Sequence, residues 1–122
     1  MSRTAHLGAM SWLMSINPWL TLVVAGLLEV LWASGLKNVG PSRPLTSLGV
    51  LIALAGSMVL LWVATQRLPI GTAYAIWTGI GAVGAATVGI LVYGEPATAV
   101  RLVCILLIVS GIVGLKLFSG AH

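Results

Sequence analysis

The stretch from Trp19 to Leu36, WLTLVVAGLLEVLWASGL, is apolar apart from a single charged residue, Glu29. About 20 apolar residues are enough to cross the hydrocarbon core of a bilayer as an α-helix. Three further apolar runs of similar length follow, at residues 45–66, 70–93 and 97–118. With the first helix at about 18–39, the sequence predicts an all-α membrane protein with four transmembrane helices.

The composition excludes the main soluble classes. Of 122 residues, 59% are hydrophobic and 7% are charged, whereas a soluble domain carries about 25% charged residues. Eight ionisable side chains cannot cover a water-facing surface, so a soluble enzyme, an extended nucleic-acid binder and a disordered chain are excluded. The formal charge of +4 comes from cations at the edges of apolar runs, which is typical of anchoring at a membrane surface.

The four runs leave short connections rich in glycine and proline, which are typical of turns. Residues 17–119 are therefore predicted to form one four-helix transmembrane domain, and residues 1–16 a disordered N-terminal tail. No apolar core followed by a cleavage site precedes the first run, so we expect no signal peptide. Met14 within the tail could itself be a start residue, which leaves open whether residues 1–13 are native.

No motif for covalent or metal chemistry is present. The sequence lacks a phosphate-binding loop, a nucleophile with an adjacent base, and any metal-ligand spacing. Cys104 is the only cysteine, and His6 and His122 lie near the two ends. We therefore expect no enzymatic activity, no metal site and no cofactor.

The cations divide equally between the two sides that four spans would create. Three fall on the side of the N-terminus and three on the other: Arg3, Arg67 and Lys116 against Lys37, Arg43 and Arg101. The excess of cations that normally fixes the orientation of a membrane protein is absent. This tie arises by chance in a chain with few charges, or it indicates dual topology, in which copies insert both ways and pair as an antiparallel homodimer.

Glu29 is the candidate proton- and substrate-binding residue, because it is the only acid inside a predicted span. A carboxylate at the centre of a membrane helix is costly, and such residues mark ion pathways and proton relays. Lys37 lies two turns further on, about 12 Å along the helix, which is too far for a direct pair. The alternative is a protonated acid that only packs.

Further polar and small residues are candidates for the lining of the same site. Tyr74 and Trp77 share a face of the third helix because they are three residues apart. Trp32 lies one turn from Glu29, where its indole can donate a hydrogen bond, cover a cation or simply pack. Ser57 can donate to the acid or bond its own backbone, and Gly26 belongs to the small-residue face around Glu29.

Glycines in the third and fourth spans lead to two more predictions about helix packing. The third span carries several glycines, which permit either close packing or a hinge. In the fourth span, Gly111 and Gly114 form a stripe of small residues without an acid or an aromatic side chain, so a dimer interface is expected there.

Three segments resemble the small multidrug resistance transporters. They are AGLLEVLWASGLK at residues 25–37, LPIGTAYAIWTGIGAVGA at 68–85 and SGIVGLK at 110–116. The resemblance covers about residues 17–119, and the stretches at 77–82 and 32–37 are similar to the guanidinium exporters within that family. The departure from the family pattern is the N-terminal extension.

The resemblance implies an antiparallel homodimer of the bacterial inner membrane that exchanges guanidinium for protons. It implies that Glu29 binds both ions in turn, with Gly26, Trp32, Ser57, Tyr74 and Trp77 around it. Partners would be a second copy, the small organic cation, protons and the lipid bilayer, with no nucleic acid. Two alternatives stay open: a polyspecific antiporter of quaternary ammonium compounds and drugs, or a non-transporting subunit of a larger membrane complex.

Overall fold

Four helices make up the protein in the computed structural model, which describes residues 15–118. They are α1 (Pro18–Gly35), α2 (Pro44–Thr65), α3 (Ile70–Leu91) and α4 (Ala99–Phe118), with a short 3-10 turn at Leu36–Asn38. All are long and apolar enough to cross a membrane. The predicted all-α fold with four membrane spans is confirmed. Most of the predicted tail, residues 1–14, lies outside the described residues.

Local chemistry sets where the helices begin. Asn17 caps α1, since its side chain accepts a hydrogen bond from the backbone N–H of Trp19 at 2.9 Å, and a proline follows in the first turn. α4 begins at Ala99 rather than at residue 97, because the hydroxyl of Thr98 accepts a hydrogen bond from the N–H of Arg101 at 3.2 Å, as an N-cap does.

The helix ends also depart from the predicted spans. The first span leaves α-helical geometry after Gly35 and continues as the 3-10 turn, whereas the sequence suggested helix to residue 39. α3 ends at Leu91 rather than at 93. Two residues beyond its C-cap, Gly94 adopts a positive φ of 69°, which only glycine adopts at little cost and which stops a helix.

The buried core lies among the first three helices. α1 packs against both α2 and α3. The core joins small and large side chains from these three helices and from the α2–α3 loop, which supplies Leu68; the others are Leu22, Ala25, Leu61, Ala64, Ala73, Ile76 and Trp77. α4 packs against α3 and contributes no buried residue. Large apolar side chains cover the outside of all four helices, which suits a surface in contact with lipid.

Candidate functional site

The interface between α1 and α3 is built on glycines that face branched side chains. A Cβ added at Gly26 of α1 would lie 2.6 Å from Cγ2 of Ile80 on α3. In the opposite sense, a Cβ added at Gly84 of α3 would overlap Val30 of α1. At both glycines the added Cβ would come closer to its neighbour than real Cβ atoms do, so the two helices approach as closely as glycine allows.

Glu29 lies in the middle of this interface. Its carboxylate rests on Gly81 of α3, where an added Cβ would overlap the carboxylate and lie 2.9 Å from Cγ of Glu29. The Oε2 atom of Glu29 is buried and has no hydrogen-bond partner among the described residues. A carboxylate oxygen that is enclosed between two helices and makes no hydrogen bond there remains available to a cation or a proton.

Two more polar atoms of α1 are buried without a partner in the described part of the chain. They are Nε1 of Trp32 and Oγ of Ser34. Leaving a buried donor or acceptor unpaired costs about 1–3 kcal/mol, and polar groups in membranes are normally satisfied. One turn of α1 therefore presents both an acceptor, on Glu29, and an indole donor, on Trp32, that make no hydrogen bond within residues 15–118.

Ser57 joins three helices through hydrogen bonds. It is fully buried on α2, donates to the backbone carbonyl of Ala25 on α1 at 2.7 Å and accepts from Nε1 of Trp77 on α3 at 2.9 Å. The serine hydroxyl thus bonds neither Glu29 nor its own helix, the two partners that the sequence suggested. The indole N–H of Trp77 is likewise directed to Ser57 and not to the carboxylate.

Tyr74 lies beside Trp77 but further out. The ring centroids are 5.5 Å apart and the planes are inclined by 43°. Tyr74 is 54% exposed, whereas Trp77 is 6% exposed. The structure therefore brings the two aromatic residues together, with one ring in the core and the other on its outer side.

The remaining candidates lie away from Glu29. Gly111 and Gly114 on α4 have no atom of the described residues within 4 Å of an added Cβ, so residues 15–118 leave this stripe uncovered. α4 contacts α3 through another face, where Ile108 and Ile112 meet Gly79. Within residues 15–118, no three His, Cys, Asp or Glu side chains are grouped to hold a metal ion.

Comparison with known proteins supplies the family. Residues 17–108 match the family model described as small multidrug resistance protein. The chain belongs to the small multidrug resistance family. It is a multi-pass protein of the bacterial inner membrane, and the predicted family resemblance is confirmed.

Three relatives of high identity are named guanidinium exporters. The guanidinium exporter of Yersinia pseudotuberculosis is 55% identical over 102 residues, which are 83% of this chain and 98% of the relative. The guanidinium exporter of Salmonella typhimurium is 58% identical over 100 residues, and that of Escherichia coli K12 is 57% identical over 100 residues; each alignment covers 81% of this chain and 95% of the relative.

In this member of the family, Gly81 is the site residue that sequence reasoning missed. The sequence pattern places Gly81 on the same helix face as Trp77, four residues further on. It predicts packing or a hinge for the glycines of the third span and assigns none of them to the acid. The sequence did not indicate that this face meets Glu29.

Proposed function

We propose that this protein exports guanidinium in exchange for protons, and that Glu29 binds the two ions in turn. One observation carries the proposal: the carboxylate of Glu29 is enclosed on Gly81 with Oε2 buried and unbonded among residues 15–118. The high identity to relatives named guanidinium exporters supports this choice of substrate.

Guanidinium suits such a group chemically. It is planar and presents N–H donors in a fork that matches the two oxygens of a carboxylate. The half-exposed ring of Tyr74 lies beside Trp77 on α3, and an aromatic ring can cover the face of a planar cation. The Glu29 carboxylate belongs to no group of three His, Cys, Asp or Glu side chains among residues 15–118, which favours a small organic cation over a metal ion, because a metal ion requires several oxygen or nitrogen ligands.

Exchange follows from competition for one group. A carboxyl that holds a proton has lost the charge that binds guanidinium, so each ion displaces the other. Protons that bind Glu29 on one side of the membrane release the cation there, and loss of the proton on the other side allows the next cation to bind. Guanidinium binding is therefore expected to strengthen as the pH rises.

We further propose that the working unit is an antiparallel homodimer with dual topology. Among the described residues, Arg67 and Lys116 lie at one end of the bundle. Lys37, Arg43 and the ion pair of Arg101 with Glu95 lie at the other. Among these described residues two cations lie at the first end and three at the second, and Arg3 in the sequence makes the count three on each side, so neither end favours the cytoplasm strongly. The open stripe on α4 at Gly111 and Gly114 supports close contact with a second copy.

The test is transport by purified protein in liposomes that contain a pH-sensitive dye. External guanidinium should drive proton movement with the unmodified chain and none with Glu29→Gln, which keeps the shape of the side chain but cannot titrate. The chain offers a matched control, because its only other acid is Glu95 in the α3–α4 loop. Glu95→Gln should retain coupled transport.

Each remaining outcome excludes one interpretation. Coupled transport by Glu29→Gln would refute the role of that carboxylate. Transport of bulky aromatic cations in preference to guanidinium would favour the polyspecific drug antiporter. A purified protein that binds and moves neither class of cation would favour the accessory subunit, in which the acid pairs with another protein.

A further inference from the structure

Tyr93, in the loop between α3 and α4, closes the C-terminal end of α1. Its hydroxyl donates to the backbone carbonyl of Ser34 at 2.6 Å, one of the last carbonyls of α1, which lack a partner within the helix. The same hydroxyl accepts from Nδ2 of Asn38 at 3.2 Å, and Nζ of Lys37 lies 4.9 Å from the centroid of the ring. One side chain therefore contacts both the last turn of α1 and the 3-10 turn that follows it.

Both sides of this contact are held in place. The backbone N–H of Tyr93 donates to the carbonyl of Gly89 at 3.2 Å, and Arg101 holds the rest of the loop through the carbonyl of Pro96 at 3.0 Å. On the other side, the guanidinium of Arg43 donates to Oδ1 of Asn38 at 2.9 Å. The connection thus links the loops at this end of the bundle through a series of hydrogen bonds.

The position of Glu29 gives this connection a consequence for access. Glu29 is only partly buried as a residue, but its carboxylate packs against Gly81 of α3 with Oε2 buried, so a movement of α1 away from α3 would expose that oxygen. Side-chain hydrogen bonds join the two ends of α1 to the loops that flank α3. Tyr93 bonds Ser34, about 7.5 Å along the helix from Glu29, and Arg67 bonds the carbonyl of Ile16, which is about 20 Å away.

We propose that Tyr93 is a positioning residue of the transport cycle, whose hydroxyl holds Ser34 while Glu29 is enclosed and releases it when the carboxylate becomes accessible. A single neutral hydrogen bond suits this task, since it is weak enough to break in every cycle. The inference rests on the proposed function of Glu29, but the accessibility of that carboxylate can be measured without guanidinium.

The test compares the unmodified chain with Tyr93→Phe, which removes the hydroxyl and keeps the ring beneath Lys37. The readout is the rate at which a hydrophobic carbodiimide modifies Glu29, measured by mass spectrometry of the peptide that contains it. Losing one hydrogen bond from the enclosed state should raise the accessible fraction, and hence the labelling rate, about three- to tenfold. Tyr93→Phe should also bind guanidinium more tightly than the unmodified chain, because a larger fraction of the variant is in the accessible state. Damage to the fold would instead weaken binding.

Two further variants make the result specific. Thr87→Val removes a hydroxyl that bonds within α3, to the carbonyl of Val83 at 2.8 Å, and should leave the labelling rate unchanged. Asn38→Ala should raise the rate less than Tyr93→Phe and add nothing in the double variant, because Asn38 acts through the same hydroxyl. Equal labelling of Tyr93→Phe and the unmodified chain, or an equal rise in Thr87→Val, would overturn the inference.

The outcomes separate this inference from the proposed function. Faster labelling of Glu29 in Tyr93→Phe supports the role of the tyrosine whether or not guanidinium binds. If guanidinium fails to bind either protein while the labelling rates differ, the proposed substrate is wrong and the positioning role stands. If guanidinium is transported normally and the labelling rates agree, the positioning role is wrong.

Discussion

Gly81→Ala is the substitution that most directly tests how Glu29 is held. The added methyl group would occupy the position of the carboxylate and lie 2.9 Å from Cγ of Glu29, so the acid must rotate away from α3. Its end is flexible, and the fold should therefore survive with a loss of about 1 kcal/mol, at the low end of the cost of overpacking. The carboxylate, however, loses its position relative to the ligand.

The expected loss of binding is larger than the loss of stability. A hydrogen bond to a charged group contributes about 1.5–3 kcal/mol, which corresponds to about a 10- to 150-fold weaker guanidinium affinity for one displaced bond. Isothermal titration of the purified protein in detergent gives the affinity, and thermal unfolding of the same sample gives the stability.

Gly84→Ala is the matched control. It lies one turn further along α3, and its added methyl group would overlap Val30, a branched side chain with little freedom to move. We expect a loss of stability of about 1–3 kcal/mol and no weakening of guanidinium affinity in the folded protein, because a looser interface exposes Glu29 without displacing its carboxylate from Gly81. The two glycine variants should thus show opposite patterns.

A double-mutant cycle tests whether the methyl group added at Gly81 collides with the carboxylate of Glu29. In a Glu29→Ala background the methyl group of Gly81→Ala meets no carboxylate, so its cost in stability should disappear. If Gly81→Ala binds guanidinium as tightly as the unmodified chain, or destabilises the Glu29→Ala protein equally, then the carboxylate does not rest on this glycine during function.

Two other predictions concern the core and the dimer. Ser57→Ala leaves a buried indole N–H without an acceptor and should lower the free energy of unfolding by about 1–3 kcal/mol, whereas Ser110→Ala, whose hydroxyl bonds its own helix, should change it little. In an antiparallel dimer that crosses where Gly111 meets Gly114, the two copies of Cys104 lie about 25 Å apart along α4. Oxidation should then give no disulfide between chains; an efficient disulfide would indicate parallel packing. Ser110→Cys in a Cys104→Ser background, near the crossing point, should be joined by a short bifunctional maleimide and serves as the positive control.

The number of helices was predictable from sequence because the length of an apolar run alone determines whether it can cross a bilayer. The exact ends were not, since they depend on local groups that hydropathy does not register. The hydroxyl of Thr98 and the positive φ of Gly94 move two helix ends by two residues. Such effects act over three or four residues and are visible only in the backbone geometry.

Part of the candidate site was likewise predictable from sequence and part was not. Glu29 is conspicuous in sequence because an acid inside an apolar run is costly, and the spacing of Tyr74 and Trp77 places them on one face. Which helix that face meets could not be predicted, because every face of a membrane helix is apolar and hydrophobic periodicity does not orient it. The contact of Glu29 with Gly81 and the hydrogen bond from Ser57 to the carbonyl of Ala25 could therefore be found only in the structure.

Tyr93 illustrates a different limit. It lies in a loop and its hydroxyl bonds a carbonyl 59 residues earlier in the chain, so no local pattern predicts the contact.

The stability of this protein and its proposed function involve the same interface. Helices in lipid gain little from hydrophobic burial against one another and associate through close packing, which α1 and α3 achieve where Gly26 meets Ile80 and Val30 meets Gly84. The enclosed carboxylate of Glu29 lies between these two contacts and opposes them, because burial of an acid is unfavourable. The close glycine contacts and the buried carboxylate oxygen therefore act in opposite directions on the stability of this interface. Substitutions that tighten it should therefore slow transport even when they stabilise the fold.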